Sequence, residues 1–177
     1  MWKMNREWCT PWKPGFRFII SRNVSKYSCI SSIDLKVMDS FYNYITTLKL
    51  SEFDMLSFID DIRFFLNDPE EDPEISITIN FKMNSSGIMH CVELYRLGAQ
   101  YNSFQELGYE LDTLFDGDDI KIGFFDNVNK SYRNIKFTIY SYNYKEQFMS
   151  PVVTFFLSNE ELESFSDFLY YNYNNDN

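Results

Sequence analysis

Hydrophobic and polar positions change period along the chain, and the clearest change lies between Ser51 and Met83. Met55, Ile59, Ile62 and Leu66 recur at helical spacing, and Phe58 and Phe65 widen the stripe. Ser51 stands where an N-cap hydroxyl accepts from a first-turn N–H, with Glu52 and Asp54 at the end of the helix dipole that favours negative charge. Asn67-Asp68-Pro69 ends the helix, because the residue before a proline is pushed out of the α region. From Ile75 the period becomes two. Ile75, Ile77, Ile79, Phe81 and Met83 face one way, and Ser76, Thr78, Asn80 and Lys82 the other, as in a strand covered on one side. Asn84-Ser85-Ser86-Gly87 is turn chemistry and leads into a hairpin partner at 88–97.

The same reading extends over the rest of the chain. Residues 16–21 and 27–37 are expected strands, and so is 41–50 on its β-branched and aromatic content, with a helical reading from Asp39 as the alternative. Ser103-Phe104-Gln105-Glu106 is a capping box opening a second helix, whose stripe is Phe104, Leu107, Leu111, Leu114 and Phe115. A hairpin is expected from 119–126 and 132–144, and a further strand over 151–157 with proline first. Ser158-Asn159-Glu160-Glu161 opens a third helix carrying Leu162, Phe165, Leu169 and Tyr173. No internal repeat or linker is evident. The expectation is one α+β domain: an antiparallel sheet of seven or eight strands with three helices packed on it. Residues 1–15 form an irregular arm whose indoles, Trp2, Trp8 and Trp12, dock on a body at 16–173, and 174–177 fray.

Composition changes the picture in two ways. Aromatic residues make up 19% of the 177, more than one small core hides, so some belong at a surface or an interface. The formal charge is −10, which disfavours nucleic acid or an anionic membrane as a partner. The charge is uneven: residues 1–36 hold seven Lys and Arg against two acids, a net +5, and the rest carries −15. Cys9, Cys29 and Cys91 are odd in number and share no metal-ligand spacing, which points to reduced thiols in a cytoplasmic protein. No apolar run is long enough to cross a membrane, and 16–20 is too short for a signal peptide core.

Candidate chemistry is thin. His90 adjoins Cys91 in an expected strand, where neighbours point to opposite faces and form no nucleophile–base pair. Asp112, Asp116, Asp118 and Asp119 invite a Ca²⁺ or Mg²⁺ reading, but the ligand order of an EF-hand is absent, and a solvated acidic turn is expected. Phosphate-cradling glycine loops, dinucleotide fingerprints, nucleophile elbows and zinc spacings are missing, so no cofactor and no catalysis are expected. What is left is acid and tyrosine. Asp68, Glu70, Glu71 and Asp72 form an acidic run, Asp116, Asp118 and Asp119 a second, and Tyr140, Tyr142 and Tyr144 project from one face of a strand. Tyr170, Tyr171 and Tyr173 crowd the last helix. Aromatic anchors in a field of one sign give fast, specific association with a basic protein.

The stretch 50–66 followed by alternating strands, with a closing helix over 160–171, resembles the small acidic immunity proteins of the WapI kind. Phage anti-defence inhibitors of the anti-CRISPR type look similar in being small, acidic and poor in motifs. Both resemblances imply a non-catalytic inhibitor that docks on the basic surface of a nuclease or other nucleic-acid-handling effector. The alternatives are a homo-oligomeric accessory protein, a homodimer included, and a nucleic-acid binder using the tryptophan-rich arm.

Overall fold

The computed structural model describes residues 6–11, 15–24, 31–67, 76–80, 87–96, 125–126, 131–133 and 135–174. Within them the α+β class holds, but the single sheet does not. Two four-stranded antiparallel sheets form instead. The first runs β1 (Glu7–Cys9), β2 (Phe16–Val24), β3 (Ser31–Asp39), β4 (Tyr44–Ser51) in spatial order. The second is ordered β10 (Phe148–Leu157), β9 (Ile135–Asn143), β6 (Ile88–Arg96), β5 (Ser76–Asn80). A separate pair, β7 (Phe125–Asp126) and β8 (Ser131–Tyr132), lies between β6 and β9 in sequence. The expected hairpin of 119–126 with 132–144 is thus divided: its second strand is cut into β8 and β9, and β9 pairs with β6 and β10.

Two helices are described, α1 (Glu52–Asn67) and α2 (Asn159–Asn174). The expected helix at 103–116 falls outside the described residues. The helical alternative at Asp39 is replaced by a turn. The Asp39 carboxylate accepts from the backbone N–H groups of Phe41 and Asn43, both at 2.8 Å, and Tyr42 takes φ 65°. Those bonds hold the Asp39 carboxyl below the usual carboxylate range. The arm is not irregular throughout, since Glu7–Cys9 is an edge strand. Trp8 does dock: its ring lies 5.0 Å from Phe165 and 6.0 Å from Phe18, and its Nε1 donates to Ser164 Oγ at 3.2 Å. Trp2 and Trp12 lie outside the described residues.

The two sheets and two helices share one core. Inward residues of the first sheet, Phe18, Ile20, Ile33, Leu35, Val37, Leu48 and Leu50, are buried, as alternation requires. They meet Ile135, Phe137, Ile139 and Phe155 of the second, with Phe18 6.1 Å from Phe137 and 5.9 Å from Phe155. Phe165 sits where the layers converge, against Trp8, Phe18, Phe58 and Phe137. Full burial of one such side chain contributes about 1.5–3 kcal/mol.

The chain repeats itself in three dimensions. β1-β2-β3-β4-α1 and β5-β6-β9-β10-α2 have the same strand order and the same hairpin pairing, and each ends in a sixteen-residue helix. Each last strand carries a bulge at the same place, Ile45 in β4 and Val152 in β10, six residues ahead of a capping serine. Each serine makes a reciprocal cap. Ser51 Oγ accepts from the Asp54 N–H and Ser51 N donates to Asp54, both at 3.0 Å. Ser158 does the same with Glu161, at 3.2 and 2.9 Å. With the caps superimposed, Leu50, Ser51, Ser57, Phe58, Asp60 and Asn67 match Leu157, Ser158, Ser164, Phe165, Asp167 and Asn174.

A pair of arginines completes the correspondence. Strand register places Arg22 of β2 opposite Ile33, and Arg96 of β6 opposite Ile135. Arg22 ion-pairs with Glu52, the first residue of α1, and donates to the Asn172 and Tyr173 carbonyls at the end of α2. Arg96 donates at 2.7 Å to Asn159, the first residue of α2, and lies 4.8 Å over the Phe65 ring at the end of α1. Each unit therefore ties the start of its own helix to the end of the other. Cations suit helix C-termini, which carry unsatisfied carbonyls.

Candidate functional site

Charge is concentrated on the helices. They carry eight carboxylates and one cation, a net −7 of the chain's −10. Glu52 is paired with Arg22, Asp54 is used in a cap, and Glu161 both caps and accepts from the Arg133 Nε at 2.7 and 3.0 Å. Asp60, Asp61, Glu160, Glu163 and Asp167 have no ion pair among the described residues. Burial, and next the Asp60 carboxylate, push the Asp61 carboxyl up.

Four exposed aromatics share these helices: Phe53 (76%), Phe64 (68%), Tyr170 (41%) and Tyr171 (42%). The helix buries Met55, Phe58, Ile59, Ile62 and Phe65, and Phe53 and Phe64 lie outside that stripe. Arg63 lies 4.4 Å over the Tyr170 ring. Between the helices runs an open cleft of about 350 Å³ lined by Arg63, Leu66, Asn67, Glu163, Ser166 and Asp167. Ser166 is 1% exposed, and its hydroxyl has no hydrogen-bond partner among the described residues.

Tyr140 and Tyr142 of β9 form a second patch with Tyr144, which lies in the turn after the strand and not on it as expected. Tyr140 and Tyr142 are half-buried and Tyr144 is exposed, with the Tyr142 and Tyr144 rings edge to face at 4.8 Å. Tyr144 Oη donates to Met89 Sδ at 3.7 Å, and Phe148 and Met149 are exposed nearby on β10. Burial, then Glu93, push the Tyr140 phenol up. Asp68, Glu70, Glu71 and Asp72 lie outside the described residues, as do Asp116, Asp118 and Asp119 with the cation reading attached to them. Glu163, Asp167, Phe53 and Phe64, which the structure exposes on the helices, are not singled out by the sequence. Superimposing the two Leu-Ser caps in sequence pairs Asp60 with Asp167, along with Ser57 with Ser164 and Asn67 with Asn174.

His90 and Cys91 point to opposite faces. His90 Nε2 lies 3.0 Å from Thr46 Oγ1 on the facing sheet, and Cys91 is buried with its thiol pushed up by that burial. Among the described residues no cluster of three His, Cys, Asp or Glu side chains is placed to hold a metal, and no helix is long and apolar enough to cross a membrane.

No family model and no curated protein matches the chain. Among solved structures, that of the plant transcriptional regulator PBF-2 is similar over 93% of this chain and 86% of that one, at 7% identity and a TM-score of 0.42. A likeness at that level carries no argument about function.

Proposed function

We propose that the chain is a non-catalytic binding protein that occupies a basic surface of a nucleic-acid-handling protein, in the manner of an immunity or anti-defence inhibitor. The observation that carries this reading is the helix pair, where unpaired carboxylates and exposed phenylalanine and tyrosine occur together. Carboxylates in such a field compete with phosphate for a cationic groove, and aromatic anchors supply the affinity that charge alone does not. The tyrosines Tyr140, Tyr142 and Tyr144 extend the same chemistry over β9 and the turn after it.

The test begins with proteins retained from host extract by the immobilised chain at low salt. Each is then purified and assayed for direct binding and for DNA binding in the chain's presence. The expected partner is basic, binds at a rate that falls steeply as salt rises, and loses DNA when the chain is added. A partner that is acidic, or a complex that keeps its DNA, sinks the reading.

A further inference from the structure

We infer that the cleft between the two helices is a binding site for a free amino acid, whose ammonium group lies toward Glu163 and whose carboxylate lies toward Arg63. This goes beyond the docking role proposed above and does not depend on it.

The direction of the helices gives the cleft two unlike ends. Arg22 joins the start of α1 to the end of α2, and Arg96 joins the start of α2 to the end of α1, so the helices run antiparallel. Arg63 lies 4.4 Å over the Tyr170 ring. From there α1 continues one turn to Asn67, while α2 is traced back two turns to Glu163. The cleft therefore has a basic end at Arg63 and an acidic end at Glu163, with Ser166 and Asp167 between them. The acidic end is also the C-terminal end of α1, which favours cations and has no basic residue in its last turn.

The polar groups of this cleft do not satisfy one another. Arg63 is half-buried and stacked on Tyr170, yet it makes no ion pair with Glu163 or Asp167, and neither carboxylate is ion-paired among the described residues. Ser166 is a second observation, independent of charge. Its hydroxyl is buried and without a partner among the described residues, and a buried hydroxyl left unmet is destabilising.

A zwitterion answers all of these at once. Glu163, Ser166 and Asp167 stand three and four apart on one helix face, and an ammonium group has three N–H donors for three acceptors. Arg63 offers its planar fork to a carboxylate. Leu66 gives the ligand's side chain an apolar wall. A plain cation would face the Arg63 charge, and a plain anion those of Glu163 and Asp167. The volume of about 350 Å³ suits a small ligand, at the low end of the range of about 300–1,000 Å³ for such sites.

The test is titration of each standard free amino acid into the ¹⁵N-labelled full chain at pH 7. The tightest binder is then compared with its amide, which lacks the carboxylate, and its N-acetyl form, which lacks the ammonium. Saturable amide shifts are expected over residues 62–67 and 162–170, and either block should weaken binding about tenfold or more. Arg63→Gln should bring the amino acid level with its amide, and Glu163→Gln should bring it level with its N-acetyl form. Ser166→Ala should weaken binding while the melting temperature stays or rises, because an unmet polar atom is removed; a purely structural serine would show the reverse. Shifts that do not saturate with any amino acid, or that centre outside the cleft, overturn the inference. So does an amide or N-acetyl form that binds as tightly as the parent. The DNA-release assay is unaffected by any of these results, so failure of this site and failure of the docking role are told apart.

Discussion

Strands β3 and β9 hold the same place in their two units, yet over their matching first halves solvent reaches the outer face of only one. On β3 the outward Lys36 is exposed, and Asp34 is half-buried and accepts from Asn23 at 2.8 Å. At the matching places β9 has Thr138, 2% exposed, and Lys136, 9% exposed, which lies 3.9 Å from Glu93 and 5.2 Å from the Tyr95 ring. Burial pushes the Lys136 amine down, and Glu93 only partly opposes it. The inward faces, by contrast, are alike: Ile33, Leu35 and Val37 correspond to Ile135, Phe137 and Ile139, all buried. The architecture dictates the inner face of each sheet and the caps of each helix, while the outer faces are free to specialise.

Exchanging outer-face residues should give the largest contrast. Thr138→Lys forces a long charged side chain into a filled site whose cross-strand carboxylate, Glu93, is already shared with Lys136, and should cost about 1–3 kcal/mol, whereas Lys36→Thr should stay within about 0.5 kcal/mol. Urea unfolding of both variants checks this, and equal effects would break the comparison. Next come the arginines. Arg96 is 5% exposed, and its loss should cost about 2 kcal/mol. Arg22 pairs with a Glu52 side chain that is 51% exposed, so Arg22→Ala should cost about 1 kcal/mol. Ser51→Ala and Ser158→Ala remove equivalent caps and should each cost about 1 kcal/mol, measured the same way.

The smallest effect concerns pH. His90 bonds to Thr46 where the corresponding places in the other half hold Phe16 and Val153. Burial holds the His90 imidazole below its ordinary value. The folded protein therefore takes up the proton at lower pH than the unfolded chain. Stability from this group is present above the unfolded value near 6.5 and is lost as pH falls through it. Melting temperatures from pH 7.5 to 5 should fall less for His90→Phe than for the parent, and parallel curves would remove His90 from the account.

Much of this architecture was legible locally. Apolar spacing at Met55, Phe58, Ile59 and Ile62 placed α1, and the Ser158 box placed the start of α2. The division into two sheets was not, because alternation fixes which side a strand buries and says nothing about which strands pair. The duplication was hidden for a similar reason. Its marks are a bulge, a register and an arginine in each half, and bulge and register are properties of pairing rather than of composition. Of the site, charge and tyrosine were visible in the letters. The exposure of Phe53 and Phe64 was not, since it is set by packing, and a phenylalanine beside a cap or beside buried Phe65 carries no mark of it in the letters.

The crossed arginines carry a consequence for how the chain is made. Neither half can complete its own helix ends, because Arg22 serves α2 and Arg96 serves α1. A nascent first half leaving the ribosome thus lacks its counterpart until synthesis is nearly over. At high concentration, two chains could supply these contacts to one another in trans, which makes reciprocal exchange of halves the natural misassembly of this molecule.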